Sequence, residues 1–137
     1  ENTAAAASAK INEGSVPPTI AVLPFVNLST DEEQEFFADG ITEDTISYFS
    51  KSKTFPIVSL NSVMKYKNSK EATKDIANVL NANYLVQGSI RKGGNKVRIS
   101  AKLTDALNDV QIWSQTWDRS LDDVLRYRMK YHKKFQL

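Results

Sequence analysis

The feature that most constrains this chain is a change of hydrophobic period at Tyr84. Downstream of it, Val97, Ile99, Ala101 and Leu103 alternate with Lys96, Arg98, Ser100 and Lys102. An extended strand sends one of those sets to a core and the other to water. The Gly93-Gly94-Asn95 cluster separates this run from a strand at residues 84–90, so the pair reads as an antiparallel hairpin with one buried face. Upstream, residues 19–28 (TIAVLPFVNL) are continuously apolar and rich in β-branched side chains, as expected of a strand covered on both faces. Pro24 has no N–H for a ladder, so pairing should end or loosen there, leaving residues 25–29 as the strand exit.

Between the two patterns the spacing is helical. Asp31, Glu32, Glu33 and Glu35 crowd a first helical turn, where carboxylates oppose the positive end of the macrodipole. The helix should run to about residue 50. Phe37, Ile41, Tyr48 and Phe49, with Thr45 between, form its apolar stripe, and Glu35, Asp39 and Glu43 a second stripe. Gly40 costs about 1 kcal/mol of helix propensity and therefore reads as a close-packing position. Residues 55–60 predict a second strand. Residues 69–82 predict a second helix with Ala72, Ile76, Val79 and Leu80 on one face, and residues 110–119 a fifth strand after the Asn108-Asp109 turn. Ser120, with Asp123 three residues on, resembles a capped helix start.

The order is βαβαβββ. Right-handed crossovers place the second strand beside the first, and the return crossover puts its helix on the opposite face. The expected architecture is a three-layer α/β/α domain with a mixed five-stranded sheet of order 2-1-3-4-5, and a C-terminal helix covering strands four and five. One core is expected from 137 residues, 41% hydrophobic and 25% charged. A chain of this length buries roughly two thirds of its unfolded surface without disulfides. The absence of cysteine removes thiolate nucleophiles and Cys-based zinc sites together.

The formal net charge of +2 hides a division. Residues 126–137 hold five of the 18 basic residues and no acidic one; thirteen bases against sixteen acids leave the body at −3. Charge therefore argues against nucleic-acid binding by the domain body. Residues 1–18, rich in Ala and Ser and closed by Pro17-Pro18, read as a flexible linker. Without an initiator Met, the chain reads as a segment of something longer. No apolar run approaches the ~18 residues of a membrane span.

Three stretches carry a family resemblance: IAVLPFVNLSTDEEQEFFADGITEDTISYFS, YLVQGSIRKGGNKVRISAKLTDA and IWSQTWDRSLDDV. In that order and spacing they resemble the TolB amino-terminal-like domain of bacteria, over residues 19–124. The resemblance implies an anticodon-binding-domain-like fold and a non-catalytic module. Such modules lie between a winged-helix DNA-binding domain or class III nucleotide cyclase domain and tetratricopeptide repeats, often after a transmembrane helix. It implies protein partners or adjacent domains, no cofactor, and a bacterial location on the cytoplasmic or periplasmic side of the inner membrane. Residues 125–137 depart from it as a basic helix or tail.

His132, the single histidine, lies in the basic tail with no sequence-local carboxylate to orient it, so no catalytic residue is assigned. Glu35, Asp39 and Glu43 could offer oxygens to a hard cation, but a solvated helix face explains them, with Asp39 in a local capping or turn role; no metal site is assigned. The loop after the first strand has no glycine and leads into carboxylates, which excludes a phosphate cradle. The remaining candidate is an interaction surface made of Trp113, Trp117, Arg119, Arg98 and Lys102, with Arg126 and Arg128 of the tail. Tryptophan and arginine are enriched where proteins meet partners. Against this stand burial of both tryptophans beneath the terminal helix and a cation–π contact of Arg98 with an indole. Binding of a small ligand or nucleic acid, at the sheet surface or at the carboxyl ends of strands one and three, is the alternative function. A third is a fragment of a protein associated with an adenylate or guanylate cyclase whose activity lies outside this chain. The tail alone could reach an anionic membrane weakly.

Overall fold

The computed structural model describes residues 17–30, 32, 34–120 and 122–123. The linker through residue 16, Asp31, Glu33, Leu121 and the tail from residue 124, with Arg126, Arg128, His132 and most of the helix expected to cover strands four and five, lie outside the described residues. The elements are β1 (Ile20–Val22), β2 (Val26–Asn27), α1 (Gln34–Ser52), α2 (Leu60–Met64), α3 (Thr73–Leu80), β3 (Tyr84–Gly93), β4 (Lys96–Asp105) and β5 (Val110–Ser120). The sheet runs β1-β3-β4-β5, with β2 also paired to β3. β1 and β2 are parallel to β3, and the β3–β4 and β4–β5 pairs are antiparallel.

The mixed α/β sheet expected from the periodicity is present. The first expected strand is divided by Pro24. Val22 aligns with Val86 but Val26 with Ser89, so four steps on one side match three on the other and one extra residue is accommodated. Leu23 N–H still donates to Val86 O at 2.9 Å, and Leu28 N–H to Ile90 O at 2.8 Å. Phe25 N–H falls in the gap. It is taken by the buried Thr42 Oγ1 of α1 at 2.9 Å, while that hydroxyl donates to Ala38 O at 2.9 Å. An orphaned buried N–H would cost ~1–3 kcal/mol, so this one hydroxyl both licenses the irregular strand and fixes it to α1.

The second expected strand shrinks to one parallel bridge, Ile20 with Ile57, held by Ile20 N–H to Pro56 O and Val58 N–H to Ile20 O, both 3.0 Å. Its position beside the first strand is as expected; Pro56 lacks an N–H, and the chain turns into α2 at Leu60. The expected helix over residues 69–82 becomes α3 alone, preceded by the unforeseen α2. Asn68, at φ 60°, and the Ser69 hydroxyl, which accepts from Glu71 N–H at 3.1 Å, occupy the stretch between them with a turn.

Helices cover both faces, and the single expected core divides into two clusters. Ile20, Val22, Phe25, Val86, Ile90, Val97, Ile99 and Ala101 pack against Phe37 and Ala38 of α1. Ala21, Leu23 and Leu85 pack against Val63 of α2 and Ile76 and Ala77 of α3 on the other side. Two expected core residues face solvent: Tyr48 is 75% and Val79 65% exposed, and Ala77 takes the inward place assigned to Val79. The hairpin turns at Gly94, φ 59°, the left-handed region open to glycine.

Candidate functional site

β5 forms one edge of the sheet. α1 lies over β1, β2 and β3, and Val97, Ile99 and Ala101 of β4 are buried in the same cluster, which leaves β5 at the margin of that face among the described residues. Pairing of β4 with β5 shifts between Leu103 and Thr104: Leu103 faces Trp113 whereas Thr104 faces Gln111. Ile112 is therefore a bulge residue, and beyond it Trp113, Gln115, Trp117 and Arg119 share the face of Leu103, Ala101, Ile99 and Val97. Trp117 is half-buried against the α1-side cluster. Trp113 is 45% exposed, and the two indoles stand 6.3 Å apart at 53°. Between Trp117 and α1 runs a trough of about 480 Å³ floored by Ile99 and Ala101 and walled by Phe25, Phe37 and Ile41, with Arg119 and Asp123 also lining it. Ser120 Oγ accepts from Asp123 N–H at 3.2 Å, the capping bond expected there.

The expected patch is distributed over both faces. Trp113, Trp117 and Arg119 come together on the α1 side. Arg98 and Lys102 point to the other side, because they alternate with the buried set of β4. Arg98 therefore makes no cation–π contact with the tryptophans; its Nε and Nη2 grip Asp118 at 2.9 and 3.3 Å. The hydrogen bonds and charge of that pair raise the Arg98 guanidinium above its ordinary pKa, and the hydrogen bond from Arg98 holds the Asp118 carboxyl below its own. Arg98 also lies directly across from Arg91, so Asp118 offsets a like-charged cross-strand pair.

On this second face, among the described residues, α2 and α3 cover Leu85 of β3 but not β4 and β5 beyond it. A trough of about 560 Å³ is floored by Gln87, Ser89, Ser100, Lys102, Ser114 and Thr116 and walled by Leu23, Pro24 and Tyr66. The carboxylate stripe of α1 is not simply a solvated face. Lys67 Nζ lies 3.1 Å from Glu35 Oε2 and 3.0 Å from each oxygen of Asp39, with its directed hydrogen bond to Oδ2. Burial lowers the Lys67 pKa, but the hydrogen bonds and charges of Asp39 and Glu35 outweigh it and hold the ammonium above its usual value. Asp39 thus ties α1 to the segment after α2 and has no turn-forming role. Among the described residues, no group of three or more histidines or carboxylates could hold a metal, and no helix is long and apolar enough to cross a membrane.

Sequence reasoning missed Thr42 and Gly88, both inside the quoted motifs. A Cβ at Gly88 would lie 2.2 Å from Phe25 Cε2, so the glycine is the seat of that ring. In the NLS stretch, Asn27 Oδ1 accepts from Ser29 N–H at 3.0 Å and Ser29 Oγ accepts from Lys92 N–H at 2.6 Å.

No protein-family model matches the chain. A curated relative, "Putative adenylate cyclase 3" of Rhizobium meliloti (strain 1021), is 39% identical over 107 residues, 78% of this chain and 18% of that protein. The chain spans under a fifth of that relative's length. The chain is similar to several solved structures, three of which follow. The LpoB C-terminal domain of Salmonella enterica has a TM-score of 0.58 at 17% identity, over 83% of this chain and 92% of that one. Lipoprotein GNA1162 of Neisseria meningitidis has 0.61 at 16%, over 88% and 99%. TolB of Acinetobacter baumannii has 0.52 at 17%, over 85% of this chain and 26% of TolB. The fold is TolB-like and LpoB-like. At these identities the likeness speaks for the architecture.

Proposed function

We propose that this chain is a non-catalytic docking module of a larger bacterial signalling or regulatory protein, binding protein partners or neighbouring domains through the α1-side face of β4–β5. The observation that carries this reading is the Trp113–Trp117 pair beside an apolar trough at the sheet edge. Large aromatic side chains half out of water, next to a ready groove and one arginine, are the composition of an interface centre. The match to a small fraction of a protein named as a cyclase supports a modular role. The test is calorimetric titration of the chain into the Rhizobium relative from which the matching segment has been deleted. Binding that Trp113→Ala weakens at least about tenfold, the scale of a modest hot spot, with the melting temperature unchanged, supports the reading. Equal binding by wild type and variant refutes it.

A second reading is favoured by the trough on the opposite face. Its hydroxyls, amide and single Lys102 beside the end of β1 suit a small polar ligand. A screen of polar metabolites by thermal shift tests it, and a hit insensitive to Gln87→Ala and Lys102→Ala would exclude that trough as the site.

A further inference from the structure

Among the described residues β5 presents an edge of eleven residues, and exposed edges invite pairing with another strand. It carries no proline and no lysine, two of the usual devices against such pairing. Asp118 is paired with Arg98, and Arg119 Nη1 donates to the adjacent Asp118 carbonyl at 3.1 Å. The bulge at Ile112 confines the regular ladder to the part beginning at Trp113. That part opens with Trp-Ser-Gln-Thr-Trp, which is nearly palindromic about Gln115.

We propose that the partner of this edge is a second copy of the chain, the two β5 strands pairing antiparallel about a two-fold axis through Gln115. In that register Trp113 faces the other copy's Trp117, Ser114 faces Thr116 and Gln115 faces itself, an isologous contact in which every pair occurs twice. Charges are accommodated as well: Asp118 and Arg119 fall toward the irregular end of the other copy, where Val110, Gln111 and Ile112 carry no charge, so no like charges meet. Moving the axis one residue either way sets Trp113 against Arg119 or Gln115 and separates the indoles. The two-fold axis stands perpendicular to the sheet, so the α1-side faces of both copies lie on the same side and the four tryptophans form one continuous patch. The proposal concerns the backbone edge of β5, whereas the docking function concerns its α1-side face, and each can fail alone.

The absence of cysteine from the chain makes the test clean. Antiparallel partners directly opposite lie ~4.5–5.5 Å apart between Cα atoms, inside the disulfide window of ~4.4–6.8 Å. The single-cysteine variant Gln115→Cys, oxidised with copper phenanthroline, is expected to form a disulfide-linked dimer many times faster than Lys74→Cys on the exposed side of α3. Sedimentation equilibrium of the unmodified chain is expected to show a reversible dimer that Trp113→Ala weakens. Equal cross-linking of the two cysteine variants overturns the register. A concentration-independent monomer overturns the dimer, while leaving partner binding through the tryptophan face standing or falling on its own titration.

Discussion

Replacing Gly88 by alanine tests how the irregular first strand is seated. The added Cβ would meet Phe25 Cε2 at 2.2 Å, Cδ2 at 2.5 Å and Cζ at 2.6 Å. Ordinary contact begins at 3.4 Å, so the ring must retreat by about 1.2 Å. Its backbone cannot follow freely, because Phe25 N–H is held by Thr42 and the strand is pinned on either side by Leu23 and Leu28. The trough beside Trp117, which the ring already lines, gives it room to tilt. Overpacking of this kind costs ~1–3 kcal/mol. Taken at about 2 kcal/mol, with ~4–8 °C per kcal/mol for a domain near one hundred residues, the melting temperature should fall by about 10 °C. Differential scanning calorimetry reads it directly. Gly93→Ala is the control, since nothing lies within 4 Å of a Cβ there, and it should be neutral or slightly stabilising. Phe25→Leu combined with Gly88→Ala should be less destabilised than the separate effects predict, the two sites being in contact. A Gly88→Ala protein that melts with the wild type would refute the seating argument.

Other expectations follow from the same contacts. Thr42→Val should cost ~1–3 kcal/mol in urea unfolding by orphaning Phe25 N–H, with Thr42→Ser retaining most of the stability. Stability should decline at alkaline pH. Lys67, raised above 10.5, and Tyr84, raised above 10.0 by burial and then by the Asp105 charge, both hold their protons more tightly when folded. Their contribution is complete below those unfolded values and is lost as pH rises through the folded ones. Lys67→Met with Tyr84→Phe should flatten the slope above pH 10 in thermal melts. Asp118→Asn should leave Arg91 and Arg98 unbalanced across the strands, so that added salt raises the melting temperature of the variant more than that of the wild type.

The hairpin was legible because a period of two, interrupted by a glycine cluster, admits little else: Val97, Ile99 and Ala101 are buried as the alternation required. The interruption at Pro24 was legible from its missing N–H. Thr42 was not, since the partner of Phe25 N–H lies seventeen residues away and polar residues inside helices usually face water. The α2 helix has five residues, too few for any periodicity to register, and its absence from the reading hid Lys67 and made the α1 carboxylates look solvated. The interaction patch was half legible. Alternation placed Trp113, Trp117 and Arg119 on one face, and the same alternation applied to β4 puts Arg98 and Lys102 on the other. The bulge at Ile112, which starts the regular part of β5, depends on how β5 meets β4 and has no local signature.

The docking role of the α1-side face is tested most directly by amide hydrogen exchange of the chain alone and with the segment-deleted Rhizobium relative. The relative is expected to slow exchange in α1 and β5 around the Trp117 trough, with α2 and α3 on the opposite face unchanged. Protection of α2 and α3 with α1 unchanged, or none at partner saturation, would contradict docking through that face.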